Sequence, residues 1–187
     1  MASTIAAPPR IALPPQGNGG RPDPAPHSAN RTGLILALAS VSMMFIGLTS
    51  AYVVSQGLNP LWKQVHMRPL IWIDTAVLLF SSYTMERARR HISARWLIAT
   101  LLLGIAFLAG QIGVFAQLAQ EGLYLNTGRQ ASFYYLLTGL HGLHILAGIF
   151  ALAWAGLRLR RSTLDLTAIY WHFMDALWLY LLAVIFV

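Results

Sequence analysis

Long apolar blocks, separated by short polar or basic stretches, make up the chain after residue 32. Each block approaches the roughly 20 residues that an α-helix needs to cross a bilayer core about 30 Å thick. The pattern therefore predicts an all-α, polytopic membrane bundle of five transmembrane helices. The predicted spans cover residues 33–55, 70–85, 96–118, 132–157 and 166–187.

The first 32 residues have a different composition. Residues 1–30 hold seven of the nine prolines and contain no sustained apolar run. Such sequences cannot bury enough apolar surface to offset the entropy of ordering, and a signal peptide would need an apolar segment. We expect residues 1–32 to be a disordered cytoplasmic arm that is not cleaved.

Charge is sparse and unevenly placed. Of 187 residues, 57% are hydrophobic and 10% are charged, with a formal net charge of +7. In a membrane protein this charge is first a topology signal, and no nucleic-acid-binding motif accompanies it. A cytoplasmic N-terminus and a periplasmic or outside C-terminus place ten basic residues inside, against three outside. The three outside are Lys63, Arg68 and Arg129.

Ionisable residues interrupt the last two apolar blocks. His141 and His144 are three apart on one predicted helix, and His172 and Asp175 repeat the spacing on the next, so each pair shares a face. Ionisable groups there cost several kcal/mol unless paired. The chain has no cysteine, so a metal would need His, Met or carboxylate ligands. A metal or haem site, a proton relay and a structural hydrogen-bond network all remain open from spacing alone.

Other polar and small residues carry packing expectations. Asp74 lies about one turn inside the second span, where it reaches the interface, caps a neighbouring helix or contacts a partner. Gln111 needs a hydrogen-bond partner and is expected to face protein rather than lipid. Gly110 and Gly113 each follow an alanine by four residues, a spacing that favours close helix approach.

Aromatic and basic residues near the ends of spans predict contacts at the membrane interface. Arg158, Arg160 and Arg161 are candidates for binding anionic lipid headgroups. The aromatic residues expected in an interfacial belt are tryptophans 154, 171 and 178 and tyrosines 134, 135, 170 and 180.

Five stretches carry a family resemblance. Phe133 to Gly148 (FYYLLTGLHGLHILAG) and Tyr170 to Trp178 (YWHFMDALW) strongly resemble the paired signatures of subunit III of haem–copper terminal oxidases. Met44 to Tyr52 (MFIGLTSAY), Thr75 to Thr84 (TAVLLFSSYT) and Gly104 to Gln111 (GIAFLAGQ) are similar to further stretches of that family. The five occur in the family's order across nearly the whole chain after residue 32.

The resemblance implies a non-catalytic subunit of a proton-pumping aerobic oxidase, in the short form that lacks the first two of seven helices. Such a subunit holds no cofactor and packs against catalytic subunit I, which carries the haems and copper, together with subunit II. In relatives it supports proton uptake, contacts membrane phospholipids and protects the oxidase during turnover. A bacterial cytoplasmic membrane and a larger respiratory supercomplex are the implied setting.

Cytochrome c oxidase is favoured over its alternatives by the SAY and SSxT stretches. The alternatives are a quinol oxidase subunit, a nitric oxide reductase accessory subunit and, in a different class, a haem-binding electron carrier. The resemblance also implies that His141, His144, His172 and Asp175 form an internal structural network with no catalytic, cofactor or metal role.

The chain departs from the family pattern at three positions. Val41 and Val114 stand where many relatives carry a carboxylate, so the proton-moving roles proposed for those positions do not transfer. Asp74 stands where asparagine is common.

Overall fold

The computed structural model describes residues 27–58, 69–120, 122 and 128–186. Within these residues every regular element is an α-helix and none is a strand, which confirms the all-α prediction. The predicted disorder of residues 1–26 lies outside the described residues, and α1 already begins within the stretch predicted as the arm. The helices are α1 (His27–Gly57), α2 (Pro69–His91), α3 (Ala94–Gln120), α4 (Arg129–Arg158) and α5 (Arg161–Phe186).

Four of the helices form a closed ring. Going round it, α2 packs on α3, α3 on α4, α4 on α5, and α5 returns to α2. Helix α1 lies outside the ring and packs against α4 and α5. The core therefore sits among α2, α3, α4 and α5, and α1 covers one side of it.

Length and composition identify four helices as candidate membrane spans. They are Ala29–Gly57, Ala94–Gln120, Ala131–Arg158 and Arg161–Phe186. Helix α2, predicted as the second span, is not among them, because polar residues interrupt its apolar sequence and its last turns are charged. The residues responsible are Asp74, Ser81, Ser82, Thr84, Glu86, Arg87, Arg89 and Arg90.

Helix α2 carries polar residues among the apolar residues of its buried side, and large apolar residues on its exposed side. Asp74, Thr75, Ser81 and Thr84 are all buried against the neighbouring helices. Its outer face is instead made of large apolar side chains that are about half exposed. These are Trp72, Ile73, Leu79 and Phe80. A surface helix of a soluble protein instead keeps its polar residues on the solvent side.

The contact between α2 and α3 is built on a carboxylate and a glycine. Gln111 Nε2 donates a hydrogen bond to Asp74 Oδ2 at 2.9 Å, and both side chains are buried. The carboxylate lies directly over Gly110, where a Cβ atom would overlap it. The prediction that Gln111 faces protein is confirmed. Of the contacts expected for Asp74, the structure shows one with a neighbouring helix, through the Gln111 side chain of α3.

Two tight connections bring the charged helix ends together. Ile92, between α2 and α3, and Leu159, between α4 and α5, both adopt left-handed backbone conformations, with φ of 48° and 37°. The Leu159 amide donates to the Ala155 carbonyl at 2.8 Å, which closes the end of α4. Because Arg89 on α2 pairs with Asp165 on α5 at 3.3 Å, both connections lie at the same end of the bundle.

Gly110→Ala is expected to weaken the bundle, although alanine is intrinsically the better helix former by about 0.5–1 kcal/mol. The new methyl group must displace the Asp74 carboxylate and break its bond to Gln111, at a cost of about 1–3 kcal/mol. The measurement is the temperature at which the purified chain loses its helical circular dichroism, which should fall. Gly113→Ala is the matched control, because its Cβ would make an ordinary 3.5 Å contact with Leu70. Equal behaviour of the two variants would contradict the packing described.

Candidate functional site

The signature run of α5 places two tryptophans in the centre of the ring. Trp171 is fully buried, and its Nε1 donates to Ser81 Oγ on α2 at 2.8 Å. Its ring lies in a slot between Gly104 on α3 and Gly148 on α4, where added Cβ atoms would come within 2.7 and 3.1 Å of ring carbons. One side chain thus connects α5 to all three other helices of the ring.

Trp178 repeats this arrangement two turns further along α5. Its Nε1 donates to Thr75 Oγ1 on α2 at 3.1 Å, and the Thr75 hydroxyl donates in turn to the Ile71 carbonyl at 2.7 Å. The indole stacks on His141 of α4, with ring centroids 5.3 Å apart, and meets Phe107 of α3 edge-on at 5.1 Å. Both tryptophans therefore have a polar partner inside the bundle.

The interfacial belt predicted from the aromatic residues is wrong for three of its members. Trp171, Trp178 and Tyr134 are at most 2% exposed. The hydroxyls of α2 explain why the indoles lie inside, since they satisfy the N–H groups that would otherwise seek the headgroup region. Trp154 is 56% exposed, and the Arg158 guanidinium lies 4.8 Å from the centre of its ring.

The two histidines of α4 differ in their surroundings. His141 is fully buried between Trp178 and Phe107, and neither ring nitrogen has a hydrogen-bond partner among the described residues. His144 bonds through Nδ1 to the carbonyl of Leu140 on its own helix at 2.8 Å. The backbone carbonyl of His144 accepts a hydrogen bond from Tyr170 Oη at 2.9 Å, which joins α4 to α5.

The polar pair on α5 faces α2 rather than α4. His172 Nδ1 lies 2.6 Å from Ser82 Oγ, and His172 Nε2 lies 3.9 Å from Glu86 Oε2. Asp175, one turn further along α5, is 4% exposed. The Ser82 hydroxyl also faces the Asp175 carboxylate, yet neither carboxylate oxygen makes a hydrogen bond within the described part of the chain.

Glu86 is the centre of an ion-pair cluster at the end of α2. Arg89 holds its carboxylate with two hydrogen bonds of 2.8 Å, and Arg90 adds a third at 2.7 Å. The hydrogen bonds from Arg89 and then Arg90 lower the pKa of Glu86 from 4.5 to about 2. Since the folded value lies below the unfolded one, the cluster stabilises the helix end above pH 4.5, and this is lost as the pH falls towards 2.

A cavity of about 590 Å³ opens beside this cluster, between α1, α2 and α5. Its lining includes five ionisable side chains, contributed by all three helices. They are Arg31, Glu86, Arg89, Asp165 and His172. His172 is therefore the residue through which the cavity contacts the polar groups between α2 and α5.

The structure divides the four residues predicted to form one network. No hydrogen bond joins any two of His141, His144, His172 and Asp175 among the described residues. His172 instead bonds α2, so the shared network stays a prediction. Within the described ranges no three His, Cys, Asp or Glu side chains are placed to hold a metal ion.

Sequence reasoning missed the residues of α2 that bond these groups. Thr75, Ser81 and Ser82 lie on the face of α2 that also carries Asp74. The available signal was a separation of seven residues, or about two helical turns, between Asp74 and Ser81 and between Thr75 and Ser82, because this spacing puts polar residues on one face of the helix. The headgroup candidates Arg158, Arg160 and Arg161 are exposed and do not line the cavity.

Long apolar helices with their polar side chains turned inward define a helical membrane protein whose buried polar groups bond its own helices. The family model described as cytochrome c oxidase subunit III matches residues 19–187. A probable cytochrome c oxidase subunit 3 from Nocardia farcinica (strain IFM 10152) is 31% identical over 185 residues, covering 86% of this chain and 91% of that protein. A probable quinol oxidase subunit 3 from Staphylococcus aureus (strain USA300) is 33% identical over 133 residues, covering 63% and 66%.

The chain belongs to the cytochrome c oxidase subunit III family, a non-catalytic subunit family of haem–copper terminal oxidases. The resemblance seen in its signature stretches is thereby confirmed. In this chain, residues of the signature stretches form the centre of the ring: Thr75, Ser81, Gly104, His141, Gly148, Trp171 and Trp178.

Proposed function

We propose that the chain is subunit III of a proton-pumping aerobic cytochrome c oxidase in a bacterial cytoplasmic membrane. It packs beside catalytic subunit I, which carries the haems and copper, and acts with subunit II. The observation that carries this proposal is the use of signature residues for internal packing, above all Trp171 between Gly104 and Gly148. A chain whose most characteristic side chains fill its own core contributes shape and stability rather than chemistry.

Five spans follow if α2 crosses the membrane together with its neighbours. Its inward polar face and outward Trp72, Ile73 and Phe80 suit a lipid-exposed helix inside a bundle. The ten basic residues assigned to the cytoplasm include Arg31 and Arg89, which line the same cavity at one end of the bundle. That grouping supports a cytoplasmic N-terminus and a C-terminus on the outer side.

The structural role proposed for the four polar residues rests on their separate contacts. His141 packs against Trp178, the carbonyl of His144 receives Tyr170, and His172 bonds Ser82. Each contact joins α5 to a different neighbour or a different turn. These contacts hold α5 in the ring without any of the residues serving as a metal ligand, and Asp175 is buried beside them.

Surfaces for lipid and for the catalytic subunit remain on the outside of the ring. Helix α1 packs only on α4 and α5 among the described helices, and large apolar residues cover its outer face, including Leu36, Met43 and Ile46. We assign membrane phospholipids and subunit I to such apolar faces. Arg158, Arg160 and Arg161, exposed where α4 meets α5, suit anionic headgroups at the cytoplasmic interface. We assign the proposed support of proton uptake to the charged end of the bundle that contains the cavity.

A quinol oxidase is the second candidate, since one relative is named a probable quinol oxidase subunit 3. The two candidates share this subunit's position and differ in the electron donor of the whole complex.

Purifying the complex through a tag on this chain tests the proposal. We expect it to bring down a haem- and copper-containing catalytic subunit and subunit II, with oxygen consumption driven by reduced cytochrome c. Oxidation of quinol instead would move the assignment to the second candidate, and nitric oxide reduction would exclude both. A stoichiometric haem in the separated chain, lost on His141→Ala, would overturn the non-catalytic role and identify an electron carrier.

The proposed topology is testable because the chain has no cysteine of its own. Single cysteines at Ser93 and Arg160, in the two tight connections, should react with a membrane-impermeant maleimide only after cells are opened. A cysteine at Gly128, before α4, should react in intact cells. Reaction of Ser93→Cys and Gly128→Cys from the same side would contradict a membrane-crossing α3.

A further inference from the structure

The Asp175 carboxyl group makes no hydrogen bond within the described residues that would stabilise a negative charge. Its side chain is buried, with 4% exposure, and neither of its oxygens has a hydrogen-bond partner among the described residues. An isolated ionised carboxylate in an apolar interior is strongly unfavourable, and such a group normally takes up a proton. A proton on Asp175 must have a route by which it arrives and leaves.

The Ser82 hydroxyl of α2 neighbours both His172 and Asp175 of α5. Its oxygen is 2.6 Å from His172 Nδ1, and it faces the Asp175 carboxylate. A hydroxyl has one proton to donate and lone pairs to accept with. Ser82 can therefore donate to His172 or, when His172 Nδ1 carries the proton, accept from it and donate to Asp175.

His172 connects this pair to the charged cavity. Its side chain is 40% exposed, its Nε2 lies 3.9 Å from Glu86, and it lines the cavity with Arg31, Arg89 and Asp165. Imidazole suits this position because it can accept a proton on one nitrogen while releasing one from the other.

We propose that His172 and Ser82 form a proton relay that exchanges the proton of Asp175 with water in the cavity. A proton from water in the cavity binds His172 Nε2, the proton on His172 Nδ1 passes to Ser82 Oγ, and the proton that Ser82 held passes to an Asp175 oxygen. One proton has then moved from the cavity to Asp175, with His172 neutral and Ser82 again a hydroxyl. The reverse sequence releases it.

Charged and titratable groups on every neighbouring helix bear on this relay. Helix α2 contributes Glu86 and Arg89, α1 contributes Arg31, and α5 itself contributes Asp165. Helix α4 contributes His141 and His144, whose rings make no hydrogen bond to α5, and α3 has only Arg95, at its first turn. The carboxylate of Glu86 beside His172 Nε2 favours a proton at that nitrogen, and the positive charge of Arg89 opposes it.

The inference goes beyond the proposed subunit role and does not depend on it, because the relay lies wholly within this chain. The experiment measures proton exchange at the Asp175 carboxyl group and not oxidase turnover. A negative result would therefore leave the subunit assignment intact.

The experiment is infrared spectroscopy of the intact complex. The spectrum of the wild type minus that of Asp175→Asn should contain a protonated carboxyl band that shifts on transfer to heavy water. We expect Ser82→Ala to slow this exchange about tenfold or more. A tenfold change corresponds to the contribution of about one hydrogen bond to the activation free energy. Ser82→Thr, which keeps the hydroxyl, should exchange at the wild-type rate.

Ser42→Ala is the matched control, because the Ser42 hydroxyl bonds only the Leu38 carbonyl of its own helix at 2.9 Å. It should leave the exchange rate unchanged. His172→Gln is the second test and applies even if Ser82→Ala does not assemble; it should slow exchange as Ser82→Ala does. Wild-type exchange in His172→Gln, or no protonated carboxyl band at any pH at which the complex is intact, would overturn the relay.

Discussion

The hydrogen bonds from two α5 indoles to hydroxyls on α2 are the interaction on which the rest of the bundle depends. Inside a membrane, apolar side chains gain little by leaving lipid for one another, so helices associate through close packing and interhelical hydrogen bonds. Trp171 and Trp178 supply both, since each N–H bonds α2 while its ring packs on α3 and α4. Glycines 104 and 148 follow from this constraint, because a side chain at either position would occupy the space of the Trp171 ring.

Helix α2 receives these bonds because its polar residues are gathered on one face. Thr75 and Ser81 accept from the indoles, Asp74 accepts from Gln111, and the Thr84 hydroxyl pairs with that of Thr100 at 2.8 Å. The same arrangement explains why α2 is the least apolar helix and yet lies in the ring. Its buried polar groups find partners on the neighbouring helices, and large apolar side chains lie on its exposed side.

Much of the fold was predictable, and the limit lies in the partners of individual side chains. The apolar blocks placed all five helices, and the motif runs around His141 and Trp171 identified the family. Gln111 was correctly expected to face protein, since an amide in apolar sequence needs a partner wherever it is. The choice between lipid interface and core for Trp171 was wrong, because it depends on a hydroxyl 90 residues away at Ser81.

The polar residues of α4 and α5 show the same limit. Spacing put His141 with His144 and His172 with Asp175, but helical periodicity does not decide which neighbour a face meets. In the structure His172 turns to Ser82 on α2, and His141 lies against an indole. This separation makes the charged end of α2, with Glu86 and its arginines, part of the same polar region as Asp175.

The most direct test of this account is a double-mutant cycle between Ser81→Ala and Trp171→Phe, followed by the temperature at which the chain leaves the purified complex. If the Ser81–Trp171 hydrogen bond holds α5 to α2, each single change lowers that temperature. In the double variant the dissociation temperature is then lowered by clearly less than the sum of the two single decreases, which corresponds to a coupling free energy of about 1 kcal/mol. Fully additive effects would show that the two residues contribute independently and would contradict the central role given to the bond.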